Sequence, residues 1–126
     1  MWKQLLFIAC GGAAGSVMRF GVSSMVYSVL GRSFPYGTLT VNVVGSFLMG
    51  LMSVMLIEKF SLSTEWRAAI LIGFLGAFTT FSTFSLETMQ LIQQGELSKA
   101  GLNMLLSVVC CIIAIWLGFV LGKPFL

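Results

Sequence analysis

Taken as a pattern of apolar and polar positions, the chain divides into four long hydrophobic runs, at about 5–30, 36–57, 67–90 and 99–122. Each is close to the roughly 20 residues that cross the hydrocarbon of a bilayer as a helix. Short pieces between them hold most of the charges and turn formers: Gly31-Arg32-Ser33-Phe34-Pro35, Glu58-Lys59-Phe60-Ser61-Leu62-Ser63 and Gln93-Gln94-Gly95-Glu96. Trp2, Trp66 and Trp116 fall near the expected helix ends or one turn inside them, as interfacial aromatic belts do. The pattern predicts an all-α membrane protein of four transmembrane helices, a single domain over residues 1–126. The first run is too long for a cleavable signal peptide: it continues past Arg19, and no small-residue cleavage site follows a short apolar core.

Polar residues inside the runs need a physical reason, because each is costly at membrane depth. The third run is the densest. From Gly73 to Glu87 it reads Gly-Phe-Leu-Gly-Ala-Phe-Thr-Thr-Phe-Ser-Thr-Phe-Ser-Leu-Glu, with five hydroxyls (Thr79, Thr80, Ser82, Thr83, Ser85) among aromatic rings. Gly73 and Gly76 lower helix propensity just before Thr79-Thr80, which predicts a break in the third helix. The carbonyls freed there must be satisfied by protein, by a water-lined cavity or by a bound cation. Phe81 and Phe84 are spaced i, i+3 and share a face; they serve either helix packing or, through their electropositive ring edges, contact with an anion. In the second run Thr38, Asn42 and Ser46 are spaced i, i+4, i+8 and lie on one face. Asn42 can glue two helices or supply a neutral donor to a partly dehydrated anion. Asn103, Ser107 and Cys111 form a second such stripe in the last run. Arg19, midway along the first run and beside Gly11-Gly12-Ala13-Ala14-Gly15-Ser16, can snorkel or bond carbonyls at a helix end, and can also attract anions in a water-filled vestibule; the two roles are compatible. Glu87 closes the third run, at a pore mouth or at an interface.

Composition narrows the function. Hydrophobic residues make up 58% and charged residues only 9%, against roughly 25% charged in soluble domains. Mean hydropathy is +1.02. With no His and no Asp, hydrolytic triads and the common transition-metal sites are nearly excluded. A net charge of +3, scattered along the chain, does not suggest nucleic acid binding. Cys10, Cys110 and Cys111 lie within the runs; neighbours on a helix point about 100° apart, so Cys110 and Cys111 read as small apolar residues rather than a pair. Four spans put both termini on one side, with Lys3, Lys59, Arg67 and Lys123; the other side has Arg32 and Lys99, or three cations with Arg19. So thin a bias weakly favours termini in the cytoplasm and permits insertion both ways up.

Three segments resemble the Fluc (CrcB) family of fluoride channels: Gly11 to Phe20, a glycine motif followed by an arginine; Gly37 to Phe47, with a central asparagine; and Gly73 to Ser85, the Thr-Thr-Phe-Ser-Thr-Phe-Ser signature. The last is highly specific. The resemblance implies an antiparallel, dual-topology homodimer with two fluoride pores in a bacterial inner membrane. It implies that Phe81 and Phe84 line those pores with their ring edges, that Asn42 is pore-lining, and that Arg19 is the vestibule arginine. Thr80, Ser82 and Thr83 are then the hydroxyls near the rings, Glu87 a glutamate near the pore, and Ser107 part of a fourth-helix polar track. A structural Na+ at the dimer centre is implied on the backbone carbonyls of Gly76 and Thr79. Phe20 departs from the family, where a tyrosine is common.

These expectations amount to a passive channel through which toxic fluoride leaves the cell, not an enzyme, with no nucleotide or redox group. Proton-coupled exporters resembling the small multidrug resistance proteins share the size and layout. Their chemistry needs a carboxylate deep in the first helix, where this chain has Arg19. A non-transporting scaffold, with its polar groups only gluing helices, is the remaining alternative.

Overall fold

The computed structural model describes residues 1–123, with the backbone alone at Glu58 and Lys59. Four helices are long and apolar enough to cross a membrane: α1 (Trp2–Leu30), α2 (Tyr36–Ile57), α3 (Thr64–Gln93) and α4 (Leu97–Gly122). Their ends are set by caps rather than by the edges of the apolar runs. Gly31, at φ 83°, ends α1 and donates its N–H to Tyr27 O at 2.8 Å, and Pro35 then opens α2. Ser63 accepts from the Trp66 N–H, starting α3 before its first apolar residue. At the far end of α3, Gly95 takes φ 80° and Glu96 N–H returns to Leu91 O at 2.8 Å.

α3 is irregular. Residues Ala68–Leu75 wind as a wide π-helical stretch. Gly76–Phe78 then form one α turn, Thr79 and Thr80 are extended (φ/ψ −89°/158° and −151°/117°), and α-helix resumes over Phe81–Gln93. Gly76 itself is helical, at φ −61° and ψ −37°. Gly73 instead serves packing: a Cβ there would lie 2.7 Å from Ile8 O of α1.

α2 packs along α4, and α1 packs along the first half of α3. Small residues carry both seams, because in lipid close backbone approach replaces the hydrophobic drive. Gly118 of α4 rests on the backbone of α2, where a Cβ would stand 2.6 Å from Leu51 N. Gly11 and Gly15 of α1 rest against the backbones of Ala69 and Phe74. The interior mixes Val41, Leu75, Phe78 and Ala114 with buried Thr38, Thr88, Asn103 and Ser107, while the exposed surface is rich in Leu, Val, Ile, Met and Phe. Polar groups inside and apolar groups outside is the arrangement that lipid demands.

Candidate functional site

The extended residues Thr79 and Thr80 release backbone groups that the chain satisfies itself. In a continuous helix Thr80 N–H would reach Gly76 O, and Phe81 N–H would reach Ala77 O. Here Thr80 N–H donates to Asn42 Oδ1 at 2.7 Å, and Asn42 Nδ2 donates back to Thr80 O at 3.0 Å. The Asn42 amide thus pairs with one residue's backbone as a strand neighbour would. Arg19 Nε donates to Ala77 O at 3.0 Å, placing a cation at the C-terminal end of the first half of α3, where the helix dipole is negative. Thr80 caps the second half: its Oγ1 accepts from Thr83 N–H at 3.2 Å and donates to Thr83 Oγ1 at 3.1 Å, with Ser82 Oγ 3.4 Å away. Gly45 of α2 makes room for Thr79, whose methyl occupies the place of a Cβ.

Beside this turn a groove of about 360 Å³ opens between α2, the second half of α3 and α4. Asn42, Thr80, Phe81, Phe84 and Ser107 line it, with Cys111 one turn beyond Ser107. The rings of Phe81 and Phe84 lie 5.3 Å apart, tilted at 48°, and Phe81 is 75% exposed. Behind Ser107 the polar contacts continue inward: its hydroxyl donates to Asn103 Oδ1 at 3.4 Å, and Asn103 Nδ2 donates to Thr88 Oγ1 at 2.9 Å. A larger groove, of about 630 Å³ between α1, α2 and the first half of α3, is lined by apolar groups and offers an ion nothing to bind.

A second polar cavity, of about 280 Å³, sits where α1 ends, α2 begins and α3 meets α4. Tyr27 joins three helices there. Its hydroxyl donates to Glu87 Oε2 at 2.7 Å and lies 3.3 Å from Thr38 Oγ1. Glu87 Oε1 is buried and has no hydrogen-bond partner among the described residues.

A family model described as "CrcB-like protein, Camphor Resistance (CrcB)" matches residues 6–119. The chain belongs to the CrcB family. Relatives of this CrcB chain named fluoride-specific ion channel FluC include one from Methylococcus capsulatus, 61% identical over 120 residues that cover 95% of this chain and 53% of the relative. Another, from Hydrogenovibrio crunogenus, is 51% identical over 122 residues, covering 97% and 92% of the two chains. One from Coxiella burnetii is 49% identical over 120 residues, covering 94% and 95%. The chain therefore spans about half of the Methylococcus relative and nearly all of the other two.

Within this CrcB chain the groove gathers Asn42, Thr80, Phe81, Phe84 and Ser107, with Thr79 at its edge. It leaves out Arg19, on Ala77 O, and Glu87, in the second cavity. Ser82 and Thr83 sit in the first turn after the groove's Phe81, tied to Thr80. Tyr27 and Thr88 escaped the sequence reading. A tyrosine inside an apolar span is the signal that could have found Tyr27, since a hydroxyl in lipid must find a partner.

Proposed function

We propose that this CrcB-family chain forms a passive, fluoride-selective channel through which intracellular fluoride leaves the cell, with two pores in an antiparallel homodimer of the inner membrane. One observation carries the reading: a single groove collects neutral hydrogen-bond donors and two phenyl rings at membrane depth. Fluoride is small and strongly hydrated, so a path must replace lost water with close donors. The Asn42 amide keeps one N–H beyond the one given to Thr80. The Thr80 and Ser107 hydroxyls can turn, and ring edges of Phe81 and Phe84 are electropositive. None of these carries a full charge that would trap the ion, and conduction needs weak binding. Phe81, exposed in one subunit, suits a path completed by a second copy. Arg19 supplies positive potential near the turn, and Glu87 lies toward one end of the path, with Ser82 and Thr83 adding hydroxyls beside the rings.

A structural cation fits the same turn. Gly76 O loses the N–H of Thr80, which goes to Asn42, and a freed carbonyl is a hard oxygen ligand of the kind Na+ takes. Among the described residues no group of three His, Cys, Asp or Glu could hold a metal, and carbonyl and hydroxyl oxygens are what this turn offers a hard cation. Gly76 O and Thr79 O, from each of two subunits, would hold the ion and supply neutralising charge where the helix is interrupted.

Helix glue is the competing reading, favoured by the two bonds between Asn42 and the Thr80 backbone and by the bond from Asn103 to Thr88. Fluoride efflux from liposomes carrying the purified protein, beside a chloride control, separates the two. Fast fluoride loss with little chloride loss is expected, and Phe81→Ala should lose that flux while still assembling. Well-folded protein without fluoride flux leaves only the scaffold.

A further inference from the structure

The cavity around Tyr27 is not accounted for by the groove. It is lined by Tyr27, Arg32, Glu87, Gln90, Glu96 and Lys99, drawn from α1, the first connection, α3, the α3–α4 connection and the start of α4. It lies on the same seam as the groove. Lys99, Asn103 and Ser107 are spaced i, i+4, i+8 on one face of α4, and Phe84 and Glu87 are one turn apart on α3. The polar stripe of α4 therefore connects the groove, at Ser107, with the cavity, at Lys99, through the buried Asn103.

Charge in the cavity is arranged in two layers. At its base Glu87 is held by Tyr27, with Oε2 bonded and Oε1 buried without a hydrogen-bond partner among the described residues. At its rim Arg32 is exposed, its Cζ 4.4 Å from the centroid of the Tyr27 ring. Lys99 Nζ donates to Ser33 O at 3.2 Å and stands 4.0 Å from Glu96 Oε2. That is the only ion pair among the described residues. The formal charges of Arg32, Lys99, Glu87 and Glu96 cancel. Remove Arg32 and the cavity becomes net negative, which repels an anion.

We infer that this cavity is the aqueous mouth of the proposed fluoride path, and that Arg32, stacked on Tyr27, keeps it open to anions by offsetting Glu87. The inference rests on the channel reading. Tyr27 acts as a positioning residue for both charges: its hydroxyl fixes the carboxylate and its ring face holds the guanidinium. Arginine suits the place, since it stays charged and stacks on an aromatic face.

Fluoride current through the reconstituted protein in planar bilayers tests this, comparing wild type with Arg32→Gln at two strengths of an impermeant salt. Screening reaches about 30 Å at 0.01 M and about 3 Å at 1 M. At low salt Arg32→Gln should carry roughly two- to fivefold less current, the size expected of one nearby charge in water. At high salt the two should converge. Arg32→Lys should retain most of the current, and the double variant R32Q/E96Q, which restores the charge balance, should recover it at low salt. Equal currents at low salt overturn the inference. So does a loss that persists at high salt and is not rescued by E96Q, because that is the mark of a structural role. A wild-type protein without fluoride current overturns the channel reading itself, and this one with it.

Discussion

Asn42 reduces the problem to one side chain. Its place on a polar stripe with Thr38 and Ser46 follows from spacing alone, but its partner does not. Thr80 is 38 residues away, and only the packing of α2 against α3 brings the two together. The same holds for Arg19: the chain says that a cation lies at membrane depth, while its bond to Ala77 O depends on where α3 leaves the helix. Both residues replace hydrogen bonds that the backbone gives up at Thr79 and Thr80. Asn42→Ala should therefore cost stability before any question of conduction arises. A buried polar group left unpaired costs about 1–3 kcal/mol; Thr80 is half-buried beside the groove, so losing both of its partners should remove about 1–3 kcal/mol in total. A fall of several degrees in the thermal midpoint of the detergent-purified protein is the expected outcome. An unchanged midpoint would mean that water serves Thr80 as well as Asn42 does.

Among the elements, the four spans were legible and their ends less so. The apolar runs locate α1 to α4 to within a few residues; α3 extends beyond its run at both ends because Ser63 caps it early and Gly95 ends it late. Glycine was the harder letter to read. Gly73 and Gly76 lower propensity, yet both are helical, and the extended residues are the threonines that follow. A propensity argument weighs the helix against water, whereas in lipid a glycine is most useful as a flat place for a neighbouring helix. Two glycines of α4 make this testable. At Gly118 a Cβ would meet the backbone of α2, which cannot step aside as a side chain can. Gly118→Ala should destabilise by about 1–3 kcal/mol, as overpacking does. At Gly101 nothing lies within 4 Å of the added carbon. Gly101→Ala should be neutral, or up to about 1 kcal/mol stabilising through helix propensity. Thermal midpoints of the two variants, measured side by side, check the contrast; similar losses at both positions would sink the packing account.

For the whole molecule, the open question is which way up it sits, and the fold bears on the charge count. Arg19 is half-buried midway along α1 and tied to Ala77 O of α3, so it weighs for neither end. Lys3, Lys59, Arg67 and Lys123 belong to the end with the termini, and Arg32 and Lys99 to the other. Lys99 is already engaged by Ser33 O and lies near Glu96. Orientation follows the difference in Lys and Arg between short flanking segments, and here that difference is small and borne by few residues. Both orientations should then insert, as the proposed antiparallel homodimer requires. Ser33 is exposed in the first connection, and the bond from Lys99 goes to its backbone oxygen, so a cysteine there is tolerated. With Cys10, Cys110 and Cys111 replaced by serine or alanine, Ser33→Cys gives one reporter thiol. A membrane-impermeant maleimide applied to spheroplasts should label about half of the protein, and the rest only after permeabilisation, if the two orientations are equally populated. Complete labelling from outside, or none, would establish a single orientation. The proposed dimer would then have to be parallel. Adding two lysines to one end should convert the mixed population into the uniform one, because the same thin margin that permits both orientations makes either easy to select.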